Sequence, residues 1–390
     1  MASEFDLTAL VRPNIRALKP YRCARDDYSS GVLLDANENS LGAAVPEALA
    51  VEARDQSLNR YPDPLQVQVK EQLVQLRGLP QTDHVFLGVG SDEVIDLLVR
   101  VICVPGQDKI LITPPTYGMY GVTAQVNDVG VVKVPLLVDT VNDPANVFQL
   151  NVPAMLAATA QDPAIKLVFV CSPGNPTGTL IHPDAVKKLL TSLDQFRGIV
   201  VVDEAYIDFV PGNKSLASWV TRFPNLVVLQ TMSKSFGLAG IRLGLGIAQP
   251  AIIQYMNNTK APYNISTPTA RVALAALNKQ GLADMRKKVA TLSAQRQLLL
   301  DALPQLPGVG QILGTNDANF VVCQVVDATG APSRNRALQI YQHMAQKMGV
   351  VVRYRGNEYG CDGCLRITVG SPEENQLLLQ RMTEALALFQ

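Results

Sequence analysis

Residues 225–240 read NLVVLQTMSKSFGLAG, an apolar run that breaks into a polar, glycine-bearing turn. The run NLVVLQ has the length and the β-branched content of a strand buried on both faces. The turn that follows sets one lysine, Lys234, between Ser233 and Ser235. An amine at the end of a buried strand is costly unless it is paired or used covalently. What surrounds Lys234 therefore decides how the rest of the chain is read.

Working outward, four more runs share the same texture: HVFLG (84–88), KILIT (109–113), KLVFVC (166–171) and GIVVVD (198–203). Each is short and apolar throughout rather than alternating, which predicts a mainly parallel sheet covered on both faces. Helical patterns lie between them. SDEVIDLLVRVI (91–102) carries apolar residues at 94, 95, 97, 98, 101 and 102, and HPDAVKKLLTSL (182–193) has a similar stripe. This alternation is the α/β pattern. Ser91 and Asp92, good capping residues, follow GVG directly and are expected to open the first of these helices.

From about residue 280 the texture changes. A long amphipathic stretch, LADMRKKVATLSAQRQLLLDAL (282–303), leads into NFVVCQVV, GVVVRY and CLRITVG and then a final helical segment. These predict a smaller α+β lobe. The expected organisation is an N-terminal arm, part of the small lobe, over 1–45, a large domain over 46–278 and a small C-terminal domain over 279–390. At 390 residues, 47% of them hydrophobic, the chain exceeds what one core usually holds.

Lys+Arg and Asp+Glu balance at 34 each, which argues against a nucleic-acid binder. No apolar run approaches the roughly 20 residues of a membrane helix. The first residues, MASEFDLTAL, are acidic where a signal peptide would be basic. A cytoplasmic protein without a membrane segment is the resulting expectation. Of the six cysteines only Cys361 and Cys364, in CDGC, have ligand-like spacing. One such pair with three histidines makes a poor zinc site, so no metal is expected and the thiols fit a reducing compartment.

In an open parallel sheet, ligands bind beyond the carboxyl ends of the strands. Those ends carry GVGSDE, PPTYGMY, SPGNPTG, VDEAY and TMSKSFGLAGIRLG. Alone, each has a bland reading: NPTG is a turn, and DEAY is a strand end with a solvated carboxylate. In this order, with LDANENS at 34–40, NRYPDP at 59–64 and CLRITVG at 364–370, they resemble the fold-type I pyridoxal phosphate aminotransferases. Within that family the chain is most similar to the members that act on histidinol phosphate.

The resemblance implies a pyridoxal 5'-phosphate cofactor and a set of roles. Lys234 is the Schiff-base lysine and Asp203 the partner of the pyridine nitrogen, whose protonated form a carboxylate favours. Glu204 points away if the strand continues. Asn175 and Tyr206 are similar to the pair that bonds the ring oxygen, and Tyr117 to the aromatic that stacks on the ring. Ser91 and Asp92 at a helix N-terminus, with Thr231, Ser233 and Arg242, match the cofactor's phosphate site. Tyr61 resembles the residue that reaches this phosphate from a second subunit, which implies a homodimer.

For the substrate, Arg366 and Arg353 match arginines that bind its anionic end, and two guanidinium groups aimed at one place fit a dianion. Arg355 lies close enough to Arg353 to take its place. Tyr21 and, from the neighbouring subunit, Tyr263 resemble further phosphate contacts, and Asn37 of LDANENS is assigned to the substrate as well. Ser40 stands where the family more often has Pro. The implied reaction moves an amino group between L-histidinol phosphate and 2-oxoglutarate, giving imidazole-acetol phosphate and L-glutamate, in histidine biosynthesis. A decarboxylase of an amino-acid phosphate, similar to threonine-phosphate decarboxylase, and an aromatic-amino-acid aminotransferase are the alternatives on the same fold. A transcription regulator built on it would need an N-terminal DNA-binding domain, and the motifs begin by residue 37.

Overall fold

The computed structural model describes residues 28, 30–35, 37–42, 61–138, 147–192, 194–212 and 214–389. Tyr21 and Cys23 lie outside these residues. Strand β1 (Val32–Leu33) and helix α1 (Val67–Arg77) come first. Strands and helices then alternate through β2 (Val85–Val89), α2 (Gly90–Ile102), β3 (Lys109–Ile112), α3 (Met119–Val126), β4 (Gly130–Lys133), α4 (Val152–Gln161), β5 (Ile165–Cys171), α5 (Pro183–Thr191) and β6 (Ile199–Asp203). Next, β7 (Leu226–Thr231) and β8 (Leu243–Ile247) lead into α6 (Pro250–Thr259), α7 (Thr267–Leu277) and α8 (Lys279–Ala302). The remainder comprises β9 (Val309–Leu313), β10 (Phe320–Val325), α9 (Arg334–Lys347), β11 (Val350–Val351), β12 (Arg353–Tyr354), β13 (Cys364–Thr368) and α10 (Pro372–Leu388).

Seven strands form one sheet in the order β2-β8-β7-β6-β5-β3-β4, with helices packed against it. The pairs β6–β7, β5–β6, β3–β5 and β3–β4 are parallel, and only β8 runs against its neighbours β2 and β7. Central strands are covered on both faces, so Val200, Val201 and Val202 are all fully buried although they alternate in direction. Burying each such side chain contributes about 1.5–3 kcal/mol, which is why these runs are apolar throughout. β4 at the edge is half-exposed and was not among the runs anticipated from sequence.

β8, LGLGI, was not anticipated either, because two glycines weaken a strand pattern. Packing accounts for them. A Cβ at Gly244 would lie 2.1 Å from Ser91 N, and one at Gly246 would lie 2.8 Å from Val94 Cγ1. The bare backbone of β8 is what lets the first turn of α2 lie against the sheet. That turn also departs from expectation: the helix begins at Gly90, with Val89 in the cap position and no side chain capping it. Ser91 and Asp92 are therefore first-turn residues, and Glu93 reaches back to accept from Val89 N.

The second sheet, β12-β13-β10-β9, is antiparallel. GVVVRY splits at Val352: β11 pairs with β1, while β12 pairs with β13. Thus Val32 and Leu33 lie beside Val350 and Val351, and Thr368 N donates to Leu34 O at 3.1 Å. α10 opens with a reciprocal cap in which Ser371 Oγ accepts from Glu374 N and Glu374 Oε2 from Ser371 N. Among the described residues no helix is long and apolar enough to cross a membrane.

Candidate active site

The carboxyl ends of β5, β6 and β7 open onto a cavity of about 300 Å³. It is lined by Ser91, Asp92, Tyr117, Asn175, Asp203, Tyr206, Thr231, Ser233, Lys234 and Arg242 from the large-sheet side. Asn37, Arg353 and Arg366 line it from the other side, together with Arg355, the alternative to Arg353, and with Asp35 and Glu38, which carry no sequence signal for the site.

Asp203 ends β6 and is 3% exposed. Its Oδ2 accepts from Tyr120 Oη at 2.7 Å and its Oδ1 from Ala205 N at 3.2 Å. Burial pushes its pKa up to about 6, and these two hydrogen bonds pull in the opposite direction. Tyr120, fully buried in α3 and stacked on Phe169 at 4.7 Å, was missed from sequence. The only signal was its place three residues after Tyr117 in PPTYGMY. Glu204 turns to the other side of the strand, accepting from Ser215 Oγ, Leu216 N and Gln230 Nε2 at 2.6–2.8 Å.

Lys234 follows β7 in the turn closed by Gly237 N donating to Lys234 O at 3.1 Å. Its Nζ is 5.9 Å from the centroid of the Tyr206 ring. Burial, then the positive charge of Arg366, depresses its pKa to about 8. Ser235, the next residue, donates to Asp208 Oδ2 at 2.7 Å, and Asp208 forms an ion pair with Arg77 at 2.9 Å. The lysine turn is thereby tied to α1.

Beside the start of α2, Arg242 adopts φ +53° and its Nη2 lies 3.4 Å from Asp92 Oδ2. Gly90, at φ +72°, makes room for it: a Cβ there would meet Arg242 Nη2 at 2.4 Å. Thr231 Oγ1 donates to Ser233 Oγ at 2.9 Å, and Tyr117 Oη donates to Asp92 Oδ1 at 3.1 Å. Hydroxyls, a guanidinium and a helix N-terminus thus converge, a donor set suited to a phosphate.

Across the cavity, Arg366 is 4% exposed. Nη1 donates to Asn175 Oδ1 at 2.7 Å and Nη2 to Asp35 O at 2.5 Å, while its Nε is buried without an acceptor among the described residues. Burial, with Arg355 and Arg353 adding to it, lowers its pKa to about 9. Arg353 and Arg366 are direct cross-strand partners in β12 and β13. Like charges in such positions destabilise a sheet unless an anion lies between them. Asn37, at φ +55°, donates from Nδ2 to Tyr206 Oη at 3.0 Å and is held by Thr368 and Asn319.

Tyr61 and Tyr263 do not line this cavity. They stack on each other at the surface, centroids 4.6 Å apart, and are 81% and 42% exposed. Cys361 and Cys364 are buried free thiols, and among the described residues no group of His, Cys, Asp or Glu is placed to hold a metal ion.

Residues 29–382 match the model of the family described as aminotransferase class I and II. The chain is 48% identical to the histidinol-phosphate aminotransferase of Candida maltosa over 98% of both chains. It is 49% identical to that of Schizosaccharomyces pombe over 96% of both. Among solved structures it is similar to the histidinol-phosphate aminotransferase of Sinorhizobium meliloti in complex with pyridoxal-5'-phosphate, with a TM-score of 0.83, 21% identity and full coverage of both chains. That last likeness is one of fold.

Proposed function

Because this chain belongs to the class I and II aminotransferase family, we propose that it is a pyridoxal phosphate enzyme that transfers the amino group of L-histidinol phosphate to 2-oxoglutarate, giving imidazole-acetol phosphate and L-glutamate. The observation that carries this reading is the meeting, in one cavity, of Lys234 and Asp203 with the paired arginines Arg353 and Arg366.

The residues present fit the cofactor. The backbone N–H groups of Ser91 and Asp92, with Thr231, Ser233 and Arg242, would hold its phosphate, and the space a Cβ at Gly90 would occupy is taken by the Arg242 guanidinium instead. When bound, pyridoxal 5'-phosphate supplies the covalent handle for an amino group and an electron sink for the bond broken beside it. Asp203, whose ionised form Tyr120 and Ala205 N favour, would hold the proton on the pyridine nitrogen. Tyr206 Oη accepts from Asn37, so its own hydrogen would be available to the ring oxygen, and Asn175, which lines the same cavity, would be the second donor. Tyr117, which lines the cavity, would offer its ring as a stacking surface for the cofactor.

Lys234 would carry the covalent attachment. Its amine, with basicity lowered by burial, would be suited to take and return a proton at the amino-bearing carbon of the substrate. Arg353 and Arg366 bind the anionic end of the donor, the phosphate in one half-reaction and a carboxylate of the dicarboxylate in the other. Asn37 contacts the substrate, and Tyr21 belongs to the same set.

Tyr61 and Tyr263 act in the site of a second copy, and their exposed stack supports a homodimer. The division into 1–45, 46–278 and 279–390 is supported at its second boundary by Asn278. That residue ends α7, and its side chain caps α8 by accepting from Gly281 N. The pairing of β1 with β11 supports counting the arm with the small lobe. Free buried thiols fit the cytoplasm.

A panel of amino donors tests the reading. Histidinol phosphate, histidinol, phenylalanine and threonine phosphate are each supplied with 2-oxoglutarate and scored for glutamate. Glutamate formed fastest from histidinol phosphate supports it. Carbon dioxide from threonine phosphate without glutamate, or faster transfer from phenylalanine, overturns it.

A further inference from the structure

Arg355 follows Arg353 by two residues, the spacing that returns a side chain to the same face of a strand, and it lines the same cavity. Its backbone continues the ladder, Arg355 N donating to Cys364 O at 2.9 Å. Beyond it the chain makes three successive turns, with Glu358 N bonded to Arg355 O, Cys361 N to Glu358 O and Cys364 N to Cys361 O, each at 3.0 Å. The first turn brings Glu358 Oε1 to 2.6 Å from Arg355 Nη1.

Two further observations separate this pair from an ordinary surface ion pair. Among the described residues Arg355 Nε is buried and meets no acceptor, as is true of Arg366 Nε. Arg366 has also given Nη1 and Nη2 to Asn175 and Asp35, so it cannot offer its two-pronged edge to a ligand without breaking those bonds. A phosphate monoester presents three terminal oxygens, and a planar pair of donors from Arg355 would add to what Arg353 and Arg366 Nε offer them. Glu358 holds the Arg355 guanidinium at one corner, which reduces the side-chain freedom lost when a ligand binds.

We propose that Arg355, anchored by Glu358, is a third guanidinium ligand for the non-reacting anion of the donor and makes the site prefer a phosphate dianion to a carboxylate. This rests on the reading of histidinol phosphate as the donor. A carboxylate has one charge and two oxygens, which Arg353 and Arg366 Nε satisfy. The third oxygen and second charge of a phosphate are what Arg355 adds.

The test compares the cofactor-loaded parent with Arg355→Gln, using histidinol phosphate and histidinol as donors. Charge-assisted hydrogen bonds of this kind predict that the ratio of kcat/KM for the two donors falls about tenfold or more. Inorganic phosphate, titrated against the cofactor's absorbance, is expected to bind about tenfold more weakly. A ratio equal to that of the parent, or an equal loss for both donors, overturns the proposal. Should Arg355→Gln not fold, Arg355→Lys is read in the same way: it keeps the charge but not the planar pair, so a lowered ratio supports the proposal and an unchanged one overturns it. Failure of the parent itself to use histidinol phosphate would sink the functional reading, and is thereby distinguished from failure of the Arg355 assignment.

Discussion

The two ends of the cavity are built on different principles. Where Asp203, Lys234 and Arg242 sit, the chain supplies the partners itself: Tyr120 and Ala205 N for the carboxylate, Asp92 for the arginine, and the Asp208–Arg77 pair behind the lysine turn. Where Arg353, Arg355 and Arg366 meet, Glu358, Asn175 and Asp35 take part of the guanidinium hydrogens, but among the described residues the Nε groups of Arg355 and Arg366 are buried without acceptors, and Arg353 and Arg366 oppose one another across strands. The first end resembles a finished core, set before anything binds. The second is complementary to an anion, and its stability is linked to whatever anion binds it.

Substitutions on each side can break or sharpen that contrast. The largest effect is expected at Lys234→Ala. Loss of a positioned general acid and base, beyond the covalent attachment, predicts a fall in turnover of about 10⁴-fold. In the parent, borohydride should fix the cofactor to Lys234, and mass spectrometry placing the adduct on another lysine would contradict the assignment. Asp203→Asn comes next, with cofactor retained but turnover lowered by about 10²–10³-fold, because a neutral amide cannot hold the pyridine nitrogen protonated. Near-parental turnover in that variant would reduce Asp203 to a strand-end carboxylate.

At the other end the expected effects are smaller and depend on the substrate. Arg353→Ala or Arg366→Ala should lower kcat/KM for histidinol phosphate about 10- to 150-fold and leave histidinol far less affected, since each removes a hydrogen bond to a charged group. Comparing the two donors cancels general damage to the fold. Equal losses for both would remove the arginine concerned from the phosphate site.

The subtlest test is Tyr120→Phe. The Tyr120 hydrogen bond favours ionised Asp203, whose pKa burial has raised to about 6, so losing it lets the pKa rise further. The acid limb of the kcat profile should then move to higher pH by about one unit, which corresponds to about 1.4 kcal/mol. A limb that stays in place would show that Tyr120 only fills space.

The same contrast explains what could be read from sequence. Strands β2, β3, β5, β6 and β7 are legible because burial on both faces leaves continuous apolar runs, and the residues at their ends gather around one cavity. β8 is hidden because its glycines serve the approach of α2 rather than the strand, and β4 because an edge needs less apolar surface. Tyr120 looks like any core aromatic until the distance to Asp203 is known. Arg355 belongs to a segment whose turns cannot be counted from residue types, so whether Arg353 or Arg355 faces the cavity stays open in sequence. In the fold both do.

The reversed direction of β8 has one last consequence. Since β7 and β8 are antiparallel neighbours in fixed register, with Thr231 opposite Gly244, the link between them is a short return loop that carries Lys234 near one end and Arg242 at the other. Both reach the cavity from this single span. Adding or removing one residue within it would shift the amine, the guanidinium or both. A change of length in this span is therefore expected to disturb both residues together.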